Sequence, residues 1–409
     1  MYKNLIFIVI ITLCVSLLSC SDAKITPPDP HDPSPAEKQI IDASNEFAFN
    51  LFKEVNSSEA DTNILVSPLS VSYALGMTYN GANGQTETDM AATLGFGSLT
   101  NDEINLSYQT LTEALTTLDP SVIFEIANSI WIRNGFPVEQ DFIDVNQDFF
   151  DAEVASLNFD DDNSVDIING WISDKTHEKI KDVLQPPISP AVIMYLINAI
   201  YFNGTWTYQF DPDNTFPGMF IQTKSRYVDC DYMEIREYFP SLITDDFSAV
   251  DLPYGNQDYG MTIFKPRHDK TLDDFLSLFN QENFTNWMAA LIADTITVKL
   301  PKFKFGYGIE LGDVLTALGM GIAFNPGLAD FSGITPAVQL YISRVIHKTF
   351  IQVDERGTEA AAVTIVEIEY TSIQEEYFTF DRPFVFVIHE KNTGAILFIG
   401  KVTNPIWEE

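Results

Sequence analysis

Ile40, Ile41, Phe47, Phe49, Leu51 and Phe52 recur at roughly helical spacing, which predicts a helix that buries one face. Pro68 opens a second helix through Tyr73, Leu75 and Met77, with Gly81 and Gly84 closing it. Further along, the period changes. Residues 122–132 and 295–300 read as strands, and residues 192–202 form an almost wholly apolar run, the pattern of a strand buried on both faces. Near the end, residues 383–388 and 395–402 flank Lys391-Asn392-Thr393-Gly394, where the glycine supplies the positive backbone angle a tight turn needs, so the pair reads as a hairpin. No internal repeat and no further Pro-rich linker interrupts residues 37–409, which read as one domain. The pattern predicts an α+β fold with large sheets and a helical N-terminal part. It says nothing about function.

Residues 355–372 obey two rules at once. Taken as a strand, one face carries Thr358, Ala360, Ala362, Thr364, Val366 and Ile368, all uncharged, and the other carries Glu359, Glu367 and Glu369. A strand with one buried face requires that segregation, whereas an exposed loop has no reason to keep it. Yet Ala360, Ala361 and Ala362 come first, where a permanent strand would be richer in large side chains. Gly357 can turn where a Cβ would be strained. A segment able to be either loop or strand reconciles these facts.

Gly357-Thr358-Glu359-Ala360-Ala361-Ala362, following Val353-Asp354-Glu355-Arg356, resembles the reactive-loop hinge of inhibitory serpins. Residues 63–70 (NILVSPLS), 198–206 (NAIYFNGTW), 300–303 (LPKF), 343–348 (SRVIHK) and 381–384 (DRPF) resemble other segments of that family, so the likeness covers nearly all of residues 37–407. The resemblance implies a serpin fold: a large central β-sheet, additional sheets, a helical N-terminal part and an exposed reactive-centre loop. It also implies the family's mechanism, in which a protease cuts the loop and is trapped as an acyl-enzyme when the loop inserts into the central sheet. By family spacing from Glu355 the scissile bond is Thr371-Ser372, with Tyr370-Thr371 and Ser372-Ile373 left open. Thr371 suits elastase-like proteases and Tyr370 chymotrypsin- or subtilisin-like ones; papain-like cysteine proteases are further candidates. Trypsin-like targets are disfavoured, because no Lys or Arg lies between Gly357 and Asp381. By the same resemblance Ser67, Ser70, Asn198 and His347 form the buried cluster that controls opening of the sheet. Lys302 would pair with Glu355, and Trp206 would stand where the loop enters. Arg356 departs from the acidic residue frequent there.

Charge narrows the partners. The chain carries 58 acidic and 23 basic residues, and no Lys or Arg occurs between Glu54 and Ile132, so nucleic acid and heparin-like polysaccharides are excluded as partners. Residues 5–18 are apolar but too short for the roughly 30 Å hydrocarbon core, and with Leu17-Leu18-Ser19-Cys20 they resemble a bacterial lipoprotein signal. That resemblance implies a cleaved leader (residues 1–19), lipidation of Cys20 and a Pro-rich tether (residues 20–36). The expected address is extracytoplasmic, on an outer membrane or cell surface, with membrane contact through the lipid alone. Cys230 is then the one thiol left in the domain, flanked by Asp229 and Asp231, so neither a disulfide nor a reactive nucleophile is expected. The five histidines show no metal spacing and no serine lies in G-x-S-x-G, so no metal, cofactor or enzymatic activity is expected. The expectation is a monomeric suicide inhibitor. The alternative is a non-inhibitory serpin-fold binding or chaperone-like protein that proteases merely cut.

Overall fold

Ser34 starts the first helix: its Oγ accepts from the Glu37 N–H at 3.2 Å, and Pro35 occupies the first turn, where a missing N–H costs nothing. The helix therefore takes in Pro35 and Ala36, which the proline density had assigned to the tether. The computed structural model describes residues 32–358 and 377–408, within the unit His31–Glu409. The leader, Cys20, the hinge residues Glu359, Ala360, Ala361 and Ala362, and the bond candidates Tyr370, Thr371 and Ser372 lie outside the described residues.

In chain order the first half comprises α1 (Pro35–Ser58), β1 (Ile64–Val66), α2 (Pro68–Tyr79), α3 (Gly84–Leu94), α4 (Asn101–Thr117), β2 (Val122–Arg133), α5 (Gln140–Phe150), β3 (Glu153–Leu157), α6 (Asn163–Lys175) and β4 (Met194–Thr205). There follow β5 (Phe216–Thr223), β6 (Arg226–Ile243), β7 (Phe247–Tyr254), β8 (Tyr259–Pro266), α7 (Leu272–Leu278), α8 (Gln281–Ala290), β9 (Ile292–Pro301) and β10 (Phe303–Glu310). The chain continues through β11 (Ile346–Asp354), β12 (Gly357–Thr358), β13 (Tyr377–Thr379), β14 (Phe384–Glu390) and β15 (Ile396–Val402). Gly81 follows α2 as predicted, but Gly84 does not close it; with φ 59° it leads into α3.

Two sheets carry the fold. One runs β1-β15-β14-β8-β7-β6-β9-β13, with β5 beside β6. The β14–β15 hairpin matches the sequence reading: Gly394 has φ 77°, and the Glu390 carboxylate accepts the N–H groups of Asn392 and Thr393 at 2.5 and 2.6 Å. The other is six-stranded, in the order β10-β11-β12-β4-β2-β3. The main core packs α1, α2 and α4 against these sheets. A smaller cluster of Trp131, Phe159, Ile168, Trp171 and Leu184 lies between α6 and the outer face of the six-stranded sheet.

The apolar run in β4 is not buried on both faces, and the reason is the central feature of the fold. On one edge β4 pairs with β2 along its whole length, from Gly204↔Val122 to Met194↔Ile132. On the other edge only Gly204 and Thr205 meet a strand, the two residues of β12. Strand β11 is the mirror case: it pairs with β10 from Val353↔Phe303 to Ile346↔Glu310, but only Val353 and Asp354 meet β12. Below Thr358, among the described residues, a strand position between β4 and β11 is unfilled. Leu196, Ile197 and Ile200 are half-buried because that neighbour is missing.

Candidate functional site

The site is this unfilled position and the residues at its top and middle. At the top, β11 turns through Glu355 and Arg356 into β12. Gly357 (φ 156°) passes so close to β4 that a Cβ would stand 2.1 Å from the Gly204 carbonyl oxygen, so glycine is required there. Thr358 is buried, its hydroxyl 2.5 Å from the Tyr254 hydroxyl. The Tyr254 ring stacks on Trp206 at 4.4 Å. Trp206 fixes the turn from below: its indole N–H donates to Asp354 O (3.0 Å) and its backbone N–H to Arg356 O (2.8 Å).

The turn is also fixed by charge. The Lys302 ammonium stands 2.9 Å from each Glu355 carboxylate oxygen, and the Thr215 hydroxyl donates to one of them at 2.8 Å. Burial alone would raise the Glu355 carboxyl, but the hydrogen bonds from Lys302, its own backbone and Thr215 together hold it below the usual carboxylate range. Glu355 is therefore ionised and the pair intact at neutral pH.

Halfway down, Ser67, Ser70, Asn198 and His347 line one small cavity. The Ser67 N–H donates to His347 Nε2 at 3.0 Å, the Ser67 hydroxyl donates to Leu397 O at 2.9 Å, and that hydroxyl caps α2 by accepting from the Ser70 N–H. Burial pushes His347 down to about 4, so the ring is neutral and Nε2 is free to accept. Asn198 is not bonded to this histidine. Its amide donates across to Asn128 (2.8 Å), which in turn donates to Phe150 O (2.7 Å), and the Asn198 Oδ1 is buried without a partner.

Three adjoining cavities, of about 30, 40 and 280 Å³, follow the gap from Thr358 past His347 to Tyr341. Residues 176–184 cross its outer side, where the Lys348 ammonium donates to Asp182 O at 2.7 Å and His177 lies on the Tyr201 ring at 4.2 Å. Sequence reasoning reached Trp206, Lys302, Glu355, Gly357 and Thr358, all of which meet here. It missed Tyr254, Thr215 and Asn128, which act through contacts that no local pattern announces. Cys230 stands apart as a half-buried free thiol, pushed up to about 11 by burial and then by its aspartate neighbours, which is no environment for a nucleophile.

An α+β fold in which, among the described residues, the position between β4 and β11 is filled only by the two residues of β12 defines a class. Residues 42–405 match the family model described as serpin (serine protease inhibitor), and the chain belongs to the serpin family. Members of that family are generally inhibitors of proteases rather than enzymes. The chain is 30% identical to human neuroserpin over 375 residues, covering 89% of this chain and 91% of that protein. Its fold is similar to native tengpin, a thermophilic serpin (TM-score 0.82, 31% identity, 93% of this chain and 97% of that one). It is also similar to human thyroxine-binding globulin complexed with thyroxine (TM-score 0.83, 28% identity, 90% and 99% covered).

Proposed function

We propose that this protein is an inhibitory serpin, cut once in residues 370–373 and trapping the protease by inserting the cut loop between β4 and β11. One observation carries the reading: the register of β12. Thr358 faces inward opposite Gly204 and Val353. Extended downward, that register would set Ala360 between Phe202 and Ile351, Ala362 between Ile200 and Thr349, and Thr364 between Asn198 and His347. Val366 and Ile368 would follow opposite Leu196 and Met194. Every inward position is then uncharged, Glu359 and Glu367 fall on the outer face, and the hydroxyl of Thr364 arrives where Asn198 Oδ1 lacks a donor. At about 0.5–1.5 kcal/mol net per main-chain hydrogen bond, an added strand of ten residues is worth on the order of ten kcal/mol, enough to make trapping effectively irreversible.

The targets are serine proteases with a small or aromatic-accepting specificity pocket, elastase-like for Thr371 and chymotrypsin- or subtilisin-like for Tyr370, with papain-like cysteine proteases as a secondary class. The site of action is extracytoplasmic, with Cys20 as the lipid anchor to a bacterial membrane. Supporting this are the apolar leader with Leu17-Leu18-Ser19-Cys20 and the Pro-rich stretch after it. Incubation with elastase-like and chymotrypsin-like proteases, denaturing electrophoresis and the mass of the released C-terminal peptide test the reading. A complex that survives denaturation is expected, the peptide beginning at Ser372 or one residue either side. Clean cleavage by every protease, without complex, would leave a serpin-fold binding protein that is only a substrate.

A further inference from the structure

The C-terminal end of the chain reaches the hinge. Lys304 N–H donates to Ile406 O at 2.8 Å, Glu408 N–H donates back to Lys304 O at 3.0 Å, and Gly306 N–H donates to a Glu408 carboxylate oxygen at 2.9 Å. Since β10 ends the six-stranded sheet and pairs with β11 on its inner side, residues 406–408 lie along its outer edge as a short added strand. That placement sets the Trp407 ring beside two cations, with Lys302 Nζ 5.2 Å and Lys304 Nζ 5.9 Å from its centroid. Lys302 Nζ is the same atom that holds both oxygens of Glu355. Ring, ammonium and carboxylate thus form one chain of contacts from the C-terminus to the turn that carries Gly357 and Thr358 into the gap.

We propose that Trp407 is a positioning residue for loop insertion, holding the Lys302 ammonium toward Glu355 and so keeping the β11–β12 turn seated; this rests on the inhibitory reading above. The negative face of the indole attracts the ammonium, restricts a flexible four-carbon side chain and screens one side of the ion pair from water. Trp407 itself is 45% exposed, so the ring does little for the core. With the turn seated, insertion of the cut loop only lengthens a strand whose first two residues are already paired. With the turn loose, those pairs must form first, while hydrolysis of the acyl bond runs on.

The test compares full-length wild type, Trp407→Ala, Trp407→Phe and Trp407→Leu for the ratio of cleaved to trapped inhibitor, using a protease that wild type traps. Each is repeated in a Glu355→Gln background. Trp407→Ala should raise the ratio about two- to five-fold, the range expected of one partly exposed cation–ring contact. Phe should largely restore it and Leu should not. In the Glu355→Gln background Trp407→Ala should add nothing, because the ring acts through the pair that is gone. An unchanged ratio, restoration by Leu as good as by Phe, or full additivity with Glu355→Gln would overturn the proposal. If wild type traps no protease, the inhibitory reading fails instead, and annealing of a synthetic peptide copying residues 358–371 still decides the role of Trp407. A looser hinge competes less for the gap, so Trp407→Ala should anneal the peptide about two- to five-fold faster. An unchanged annealing rate would overturn the proposal there as well.

Discussion

Placing a charge at Ala362 tests the register residue by residue. By extension from Thr358, Ala362 would face inward beside Ile200 and Thr349, over a cavity lined by Leu65, Ile388 and Phe398. A glutamate there would carry its carboxylate toward the side of the cavity formed by Leu65, Ile388 and Phe398, whereas Lys179, the one cation lining that cavity among the described residues, lies against the Phe350 ring on the outward side. Leaving a buried charge unpaired costs about 3–5 kcal/mol. If half of that is felt as the strand passes this point, insertion slows roughly ten- to sixty-fold, at about 1.4 kcal/mol per factor of ten. Hydrolysis then wins, and Ala362→Glu should be cleaved with little or no complex formed. The neighbour is the control. Ala361 would face outward between Tyr201 and Phe350, on the side crossed by residues 176–184, where Lys179 lies 5.4 Å from the Phe350 ring and can pair with a carboxylate. Ala361→Glu should therefore keep most of its trapping. Band densities of complex and cleaved inhibitor on denaturing gels measure both variants. Equal loss in the two, or greater loss at position 361, would refute the inward and outward assignment.

Other perturbations follow from the same geometry. Gly357→Ala should lower the yield of complex several-fold at unchanged cleavage rate, because its Cβ would meet the Gly204 carbonyl at 2.1 Å; an unaltered yield would show that β12 need not be seated. His347 titrates near 4 in the folded protein against 6.5 when free, so between these values the unfolded chain binds more protons and stability is lost as pH falls. The loss should be on the order of 3 kcal/mol by pH 4, read from urea unfolding at a series of pH values, and the part of the slope between pH 6.5 and 4 due to this group should vanish in His347→Gln. Cys230 should react with a maleimide at pH 8 far more slowly than a free thiol, since burial keeps it protonated; fast labelling of the native protein would contradict its environment.

Local chemistry made much of the fold legible. Pro68 opens α2 behind the capping Ser67, and Gly394 sits where the turn demands a positive angle, so those elements could be read from a few residues; Ser34-Pro35 starts α1 in the same way but reads as tether, because the proline density before it points to extended chain. The β4 run misled because apolar content signals burial against neighbours, and which neighbours exist on its open edge is decided by β11 and β12, about 150 residues away in the chain. Gly84 misled because a positive-φ glycine serves the start of one helix as well as the end of another. In the site, the segregation of charge along residues 355–372 was visible, since period 2 is written in the sequence. The support beneath the hinge was not: Tyr254, Thr215 and Trp407 lie far from it along the chain, and only the sheet brings them together.

Amide hydrogen exchange along β4 and β11, before and after one cut in the reactive loop, tests the central claim most directly. The account predicts that peptides covering residues 194–202 and 346–352 exchange readily in the intact protein on the edges facing the gap and become strongly protected once the loop is cut. Exchange that stays the same after a complete cut would mean that the gap does not accept the loop, and the inhibitory reading would fall with it.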